Sequence, residues 1–457
     1  KAVLLGTLAA LLFSTINVFA QPLPAAGPAQ AALPTWVLEM DLPIPQAEAE
    51  ERGGAEAARQ MLYDLAAERA DGSVASLSVS SPRETAEGWE YTLRLEGQSD
   101  FEALRQLLYA QLGSEFDFLG GPIDLSLALP EGSLRRVDLL LESRPTTGYA
   151  WELSARAQDS WALRQPVQNA YRSGSLGAPA VSTLSIKAAG FGGRPLSLQY
   201  RRSFEAQNAT RRLWIEAAAL PETLDLTSPL PAPDFSMPPL TAPTEKPSVE
   251  AQVGDSIQSL PASFDWRTQG VVTAVRNQGG CGSCWAFGTV GPLESALLMH
   301  ENLTTDLSEQ YLVSCNQSGW SCSGGWWAHD YHMDTYGANS NPPGAVLESD
   351  KSYTATDGTC GQLYNHPYRL YNWNAVDAYV EIPSVEKIKQ AIYEYGPISA
   401  GVCAEGFNGY TGGVFDTSQT CNTTSGINHG IVLVGWEDAT QSWILRNSWG
   451  PTWGDSG

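Results

Sequence analysis

Along the chain, stretches whose apolar residues recur every second position alternate with stretches where they recur every third or fourth, and this order divides it into parts. A short apolar run, Trp36 to Met40, precedes a helical pattern over Ala55 to Arg69 that sets Met61, Leu62 and Leu65 on one face. Alternating runs follow at Val74 to Val79 and at Trp89 to Leu95. A second helix is expected after Ser99-Asp100, with Phe101, Leu104, Leu107 and Leu108 on one face and Gly113 as its stop. Residues 35–118 therefore read as a small α/β domain. From 119 to 219 the period is two: Ile123, Leu125, Leu127, Leu129; Val137, Leu139, Leu141; Leu184, Ile186, Ala188; Leu196, Leu198, Tyr200; Leu213, Ile215, Ala217. One apolar face per strand predicts an all-β sandwich. Residues 220–258 are dense in proline with Ser and Thr and read as an extended linker, and a mixed α+β domain is expected over 259–457.

Ahead of these parts, Lys1, the apolar stretch Ala2 to Phe13 and Val18-Phe-Ala20 read as a secretory signal peptide over 1–20, with an uncleaved anchor as the alternative. Residues 21–34 form a Pro/Ala-rich spacer. The chain starts without Met and stops at Gly457 in a loop-like stretch, so it reads as a fragment. With 457 residues, 43% of them apolar, it is multidomain and long enough for several cores. Fifty acidic against 27 basic side chains give −23, which repels nucleic acid, and no later segment is apolar enough to span a bilayer. The mature form is expected to be secreted, extracellular or in the cell envelope, with no membrane segment.

All seven cysteines lie between 281 and 421. Export favours disulfides there, and an odd count leaves at least one thiol over. Cys284 falls where a helical pattern through about His300 begins, and unpaired backbone N–H groups at a helix start favour a thiolate. His429 opens an apolar strand and Asn447 lies just beyond another. Adjacent strands would bring the imidazole and the amide together as base and orienter. Gly291-Pro292 inside the helix is expected to kink it or loosen the wall behind Cys284. His329 and His332 are read as ordinary interior histidines, and neither a metal nor a cofactor is expected.

Cys281-Gly-Ser-Cys284-Trp, with distant His429 and Asn447, resembles the signature of the papain and cathepsin family. Pro261-Ala-Ser-Phe-Asp-Trp-Arg267, Leu307-Ser-Glu-Gln-Tyr-Leu-Val-Ser-Cys315, Cys322-Ser-Gly-Gly325 and Asn447-Ser-Trp-Gly-Pro-Thr-Trp-Gly454 extend the resemblance over about 200 residues. It implies a two-lobed α+β fold and hydrolysis of protein or peptide substrates. Cys284 would be the nucleophile, His429 the base, Asn447 the orienter beneath Trp449, and Gln278 an oxyanion donor. Gly324 and Gly325 would bind extended peptide backbone, while Trp326, Trp327, Asn428 and Gly430 would shape the neighbouring pocket. The resemblance also pairs Cys281 with Cys322 and Cys315 with Cys360. Cys421 pairs either with Cys403 or with a cysteine beyond Gly457.

Three loops of the middle segment resemble those of chagasin-like inhibitors of such proteases. They are the loop with Pro145, Thr146, Thr147, Gly148 and Tyr149, the loop with Gly190, Gly192 and Gly193, and the loop with Arg201 and Phe204. In that family three loops at one end of an immunoglobulin-like sandwich form a wedge for the active groove. The partner implied is the chain's own protease domain in cis or another papain-like protease in trans. Two readings compete with an autoinhibited cysteine endopeptidase: a secreted inhibitor carrying an inactive protease domain, and a transglutaminase-like cysteine transferase.

Overall fold

The computed structural model describes residues 33–457 apart from 106–122, 129–135, 189–194, 206–210, 217–221, 228–259, 334–343, 378–381, 417–425 and a few isolated positions. The expected signal segment, nearly all of the spacer, most of the linker and Leu107, Leu108 and Gly113 lie outside the described residues.

The segment read as a small α/β unit shares a sheet with the sandwich. Strand Thr35–Pro45 pairs antiparallel with Gly88–Gln98 on one side and with Arg211–Glu216 on the other. Arg211–Glu216 runs parallel to Ile123–Ala128, and the sheet continues through Leu196–Arg201 to Ala150–Leu153. The register explains the merger. Trp36 lies opposite Ile215 and Leu38 opposite Leu213, so the apolar faces of both strands turn the same way. Trp36, Tyr91 and Leu95 are accordingly buried in one core with Leu125, Leu198 and Ile215. Helix Ala55–Arg69 packs Met61 and Leu62 against that core.

A second sheet, in the order Thr223–Leu226, Arg136–Ser143, Ala180–Ala188, Trp161–Leu163, turns Val137, Leu139, Leu141, Leu184 and Ile186 into the same core. Thr223–Leu226 lies parallel to Arg136–Ser143, so the β structure runs past 219 into the start of the segment read as linker. Leu224 and Leu226 give only two inward positions beside Pro221 and Pro229, too short an alternation to stand out.

From 260 onward two larger cores form beside a small cluster of Ala404, Phe407, Trp449 and Trp453. One gathers Trp285 and Val290 of helix Cys284–Glu301, Leu312 of helix Glu309–Cys315, and Leu307 and Val346. The other rests on strands Ser263–Asp265, His429–Glu437, Ile398–Val402 and Ser442–Arg446, with Ile388 and Ile392 of helix Val385–Tyr395 packed on Ile431 and Leu433. That helix starts where Ser384 accepts a hydrogen bond from the Lys387 N–H.

The long helix is not broken at Gly291-Pro292; it runs continuously from Cys284 to Glu301. Pro292 has no N–H for the Gly288 carbonyl, and the Ser399 hydroxyl donates to that carbonyl instead at 2.7 Å. Gly291 has a separate function. A Cβ there would lie 1.9 Å from Arg446 Nη2, so its absence lets a buried guanidinium cross the helix. Arg446 donates onward to the Thr273 carbonyl at 3.1 Å and precedes Asn447, tying that strand end to the helix that begins at Cys284.

Candidate active site

Cys284 is the first residue of its helix, fully buried, and the free cysteine among the described residues. The Cys281–Cys322 disulfide joins the turn before the helix to the Gly324-Gly325 loop, and Cys315–Cys360 closes a second loop. Cys403 is also disulfide-bonded, while Cys421 lies outside the described residues. Gly430 brings strand His429–Glu437 against the helix start, because a Cβ on it would sit 2.9 Å from the Cys284 carbonyl. His429 is therefore the residue beside the one that touches the helix start.

Asn447 Oδ1 meets His429 Nε2 at 2.8 Å, and the Trp449 indole lies 5.2 Å from the imidazole centroid. With Nε2 engaged, Nδ1 is left buried without a hydrogen-bond partner. Gln278 is fully buried; its Nε2 donates to the Cys281 carbonyl at 2.8 Å and its Oε1 accepts from Ser448 Oγ at 2.7 Å. Gly325 packs on the Trp285 indole, where a Cβ would approach within 2.7 Å. Trp326 and Trp327 lie 6.0 Å apart, centroid to centroid.

This seam is covered by three loops from one end of the β sandwich. Arg136–Ser143 leads into 144–149, Ala180–Ala188 starts just after 174–178, and Leu196–Arg201 leads into 202–204, so antiparallel pairing delivers all three to the same end. Leu176 forms a two-bond antiparallel bridge with Gly325, each N–H donating to the other carbonyl at 3.0 Å. Gly177 N–H donates to the Asn428 carbonyl at 2.8 Å. Trp449 Nε1 donates to the Thr146 carbonyl at 3.0 Å, and Phe204 stacks on Trp449 at 6.2 Å. Ser203 Oγ donates to the Asn408 carbonyl at 2.8 Å. Arg202 is fully buried and binds both sides: Nε donates to the Thr147 carbonyl, Nη1 to Glu205 and Asn277, and Nη2 to the Gly279 carbonyl.

One expectation about the wedge changes, and another falls outside the described residues. The loop of Gly190, Gly192 and Gly193 lies outside the described residues. The loop inserted in the seam is Ser175-Leu-Gly-Ala178, which glycine count did not single out. Its sequence signal was the Gly-Ala-Pro run immediately before an alternating strand. Likewise Arg202, not Arg201, reaches across. Successive strand residues point to opposite faces, and Arg201 pairs with Glu152 within the sandwich.

Burial sets the charge state. It pushes the Cys284 thiol up to about 12, against the backbone N–H groups of Gly430 and Trp285, which favour the anion. Burial also pulls His429 down to about 4, with the Asn447 hydrogen bond opposing and the Arg202 charge assisting. The covered pair is therefore neutral thiol and neutral imidazole. The helix start does act as the sequence suggested, but desolvation outweighs it.

His329 and His332 are buried neutral as well, both lowered by desolvation, and His329 Nε2 meets Ser399 Oγ at 3.2 Å. Among the described residues no group of His, Cys, Asp and Glu is arranged to hold a metal ion.

Residues 260–457 match the papain family cysteine protease, and residues 135–215 match the chagasin family peptidase inhibitor I42. The chain is similar to cysteine proteinase RD21A of Arabidopsis thaliana, 40% identical over 215 residues that cover 46% of this chain and 43% of that protein. It is similar to zingipain-2 of Zingiber officinale, 38% identical over 205 residues covering 43% of this chain and 86% of that protein. Among solved structures, digestive procathepsin L 3 of the Tenebrio molitor larval midgut matches at 34% identity over 44% of this chain and 64% of that one, with a TM-score of 0.37. The chain spans about half or less of the length of several curated relatives, 43% for RD21A and 54% for vignain of Vigna mungo.

Proposed function

The chain belongs to the papain family of cysteine proteases, and from that premise we propose that it is a secreted cysteine endopeptidase held closed by its own immunoglobulin-like, chagasin-type sandwich. The observation that carries this reading is the bridge between Leu176 and Gly325: the loop's backbone occupies the place an extended substrate would take, beside a sealed Cys284. The signal segment and the clustered disulfides fit export.

In the open enzyme, Cys284 Sγ gives its proton to His429 Nδ1 and attacks the substrate carbonyl carbon. Nδ1 is the available nitrogen because Asn447 holds Nε2. The oxyanion forms beside the Cys284 N–H and the Gln278 amide, whose Nε2 has one hydrogen left after the Cys281 carbonyl takes the other. Collapse expels the amine, which takes the proton from His429, and leaves a thioester. Water then attacks the thioester with His429 as base, releasing the acid and restoring the thiol.

The test is a chain cut within the Pro-rich segment 228–259. In the intact chain the wedge is at an effective concentration on the order of millimolar, independent of dilution. Once cut, the two parts associate bimolecularly. Peptide hydrolysis per molecule is expected to rise as the cut chain is diluted, while the intact chain stays slow at every concentration. Equal rates for both at every dilution would sink the proposal.

Acid should loosen the wedge. Burial, helped by the Arg202 charge and opposed by the Asn447 hydrogen bond, lowers His429 to about 4 from an ordinary 6.5. The closed state excludes a proton that the open state accepts, so its stability is complete above 6.5 and falls as pH drops toward 4, by up to about tenfold in the equilibrium per pH unit. Size-exclusion of the cut chain should show more free sandwich at pH 4.5 than at pH 7.5. Identical fractions at both values would count against this account of the pair.

A further inference from the structure

Ser283 stands at the N-cap of the helix that begins with Cys284, where a serine hydroxyl ordinarily accepts from one of the first free N–H groups. Here it makes no such bond. Its Oγ lies 2.5 Å from the Tyr353 hydroxyl, which also donates to the Gln278 carbonyl at 2.9 Å. A phenol has one proton and a carbonyl can only accept, so Ser283 is the donor to Tyr353. Burial raises Tyr353 above its ordinary 10, and the phenol keeps its proton. One hydroxyl thus ties the residue before the nucleophile to the residue that carries the oxyanion amide.

Turning Ser283 aside decides what the helix start can do. The Ala286 and Phe287 N–H groups donate to the Ser283 carbonyl at 2.8 and 3.3 Å, whereas the Trp285 N–H acts on the Cys284 sulfur. An N-cap side chain accepts from the second or third helical residue, which here are Trp285 and Ala286. Ala286 already has its carbonyl, so Trp285 is the N–H that a freed Ser283 Oγ would take. Tyr353 is itself well held. Its N–H donates to Glu348 Oε1 at 2.7 Å, its ring meets Phe287 edge-on at 4.9 Å, and the Thr354 N–H donates to Gln310 Oε1 at 2.9 Å.

We propose that Tyr353 is a positioning residue for the reaction: by holding Ser283 Oγ out of the cap, it reserves the Trp285 N–H for the Cys284 sulfur when that sulfur is an anion. This rests on the peptidase reading and adds to it a residue outside the nucleophile, base, orienter and oxyanion donor. A hydrogen bond to an ionised group commonly changes the equilibrium that forms the ion by about tenfold or more.

The test is the pH dependence of Cys284 alkylation by iodoacetamide, a readout that needs no turnover. It is made in the full chain opened by Gly177→Val, since a Cβ at 177 would lie 1.9 Å from the Gly282 carbonyl oxygen. Adding Tyr353→Phe leaves a ring against Phe287 and frees Ser283. The acid limb of the profile should move up by about one pH unit, making alkylation there about tenfold slower at a given pH, with the alkaline plateau unchanged. The charged and titratable groups that act on Tyr353 are Cys284, Glu309 and Arg202, and Arg202 also acts on His429; the substitution alters none of them. Adding Ser283→Ala to Tyr353→Phe removes the competing oxygen and should reverse more than half of the displacement. Lost packing would not be repaired by a second truncation. The proposal is overturned if Tyr353→Phe follows the parent profile, or if the double variant recovers less than half. Two other outcomes are distinct from these. Should the unaltered chain alkylate as fast as Gly177→Val, the self-inhibition reading falls, and the same comparison in the unaltered background still decides. Should a fully alkylated chain still cut peptides, the reading of Cys284 as nucleophile falls.

Discussion

A full chain carrying Gly177→Val is expected to hydrolyse peptides at least about 100-fold faster than the unaltered chain. Gly177 has φ of +82°, at the third position of a tight turn closed by Ala178 N–H on the Ser175 carbonyl at 3.2 Å. A β-branched residue is strongly disfavoured at that φ. The space is closed too: a Cβ would fall 1.9 Å from the Gly282 carbonyl oxygen. That backbone cannot yield, because Gly282 N–H is bonded to the Cys322 carbonyl at 2.9 Å and Cys281–Cys322 bridges the same turn. Displacing the loop breaks the Gly177 bond to Asn428 and the Leu176 pair with Gly325. Strain plus overlap is of order 3 kcal/mol or more, hence the hundredfold. Gly174→Ala in the same loop is the control, since nothing lies within 4 Å of its missing Cβ. Initial rates on a fluorogenic peptide separate the two; equal rates for Gly177→Val and Gly174→Ala would show that the loop does not close the groove.

In the opened chain, adding Cys284→Ala should remove turnover by roughly four to six orders of magnitude, as loss of a covalent nucleophile does in comparable hydrolases. Alanine fits where the small buried thiol lies, so the fold should persist, and with Gly177 intact so should the wedge's grip. The check has two parts: peptide hydrolysis falls to background, while the cut chain still elutes as one species at neutral pH. Residual turnover within tenfold of the parent would mean that another group performs the chemistry.

The residues of the proposed chemistry were legible because each is marked locally. Cys284 stands where the helix pattern starts, and His429 and Asn447 flank apolar strands that pair side by side through Val432 and Arg446. The strands of the sandwich were legible for a similar reason, since period-two alternation is a local property. The wedge was legible only in part. Pro145 to Tyr149 and Phe204 reach the seam, the glycines at 190–193 lie outside the described residues, and the close approach of Gly177 to Gly282 joins residues 105 positions apart, beyond the reach of any local pattern.

Local pattern in the chain thus determined which residue types stand at element ends, and with them the reaction class and the family. Tertiary structure alone decided that Thr35–Pro45 joins the sandwich sheet, that Arg202 rather than Arg201 turns across, that Ser399 replaces the bond Pro292 cannot make, and that Leu176 fills a pocket in another core. It also decided the charge state of the covered Cys284 and His429, since the water removed from them is displaced by loops far away in sequence. The physical reason is range: helix starts and strand alternation depend on neighbours within a few residues, whereas register, desolvation and backbone clearance depend on which distant surfaces come to rest against one another.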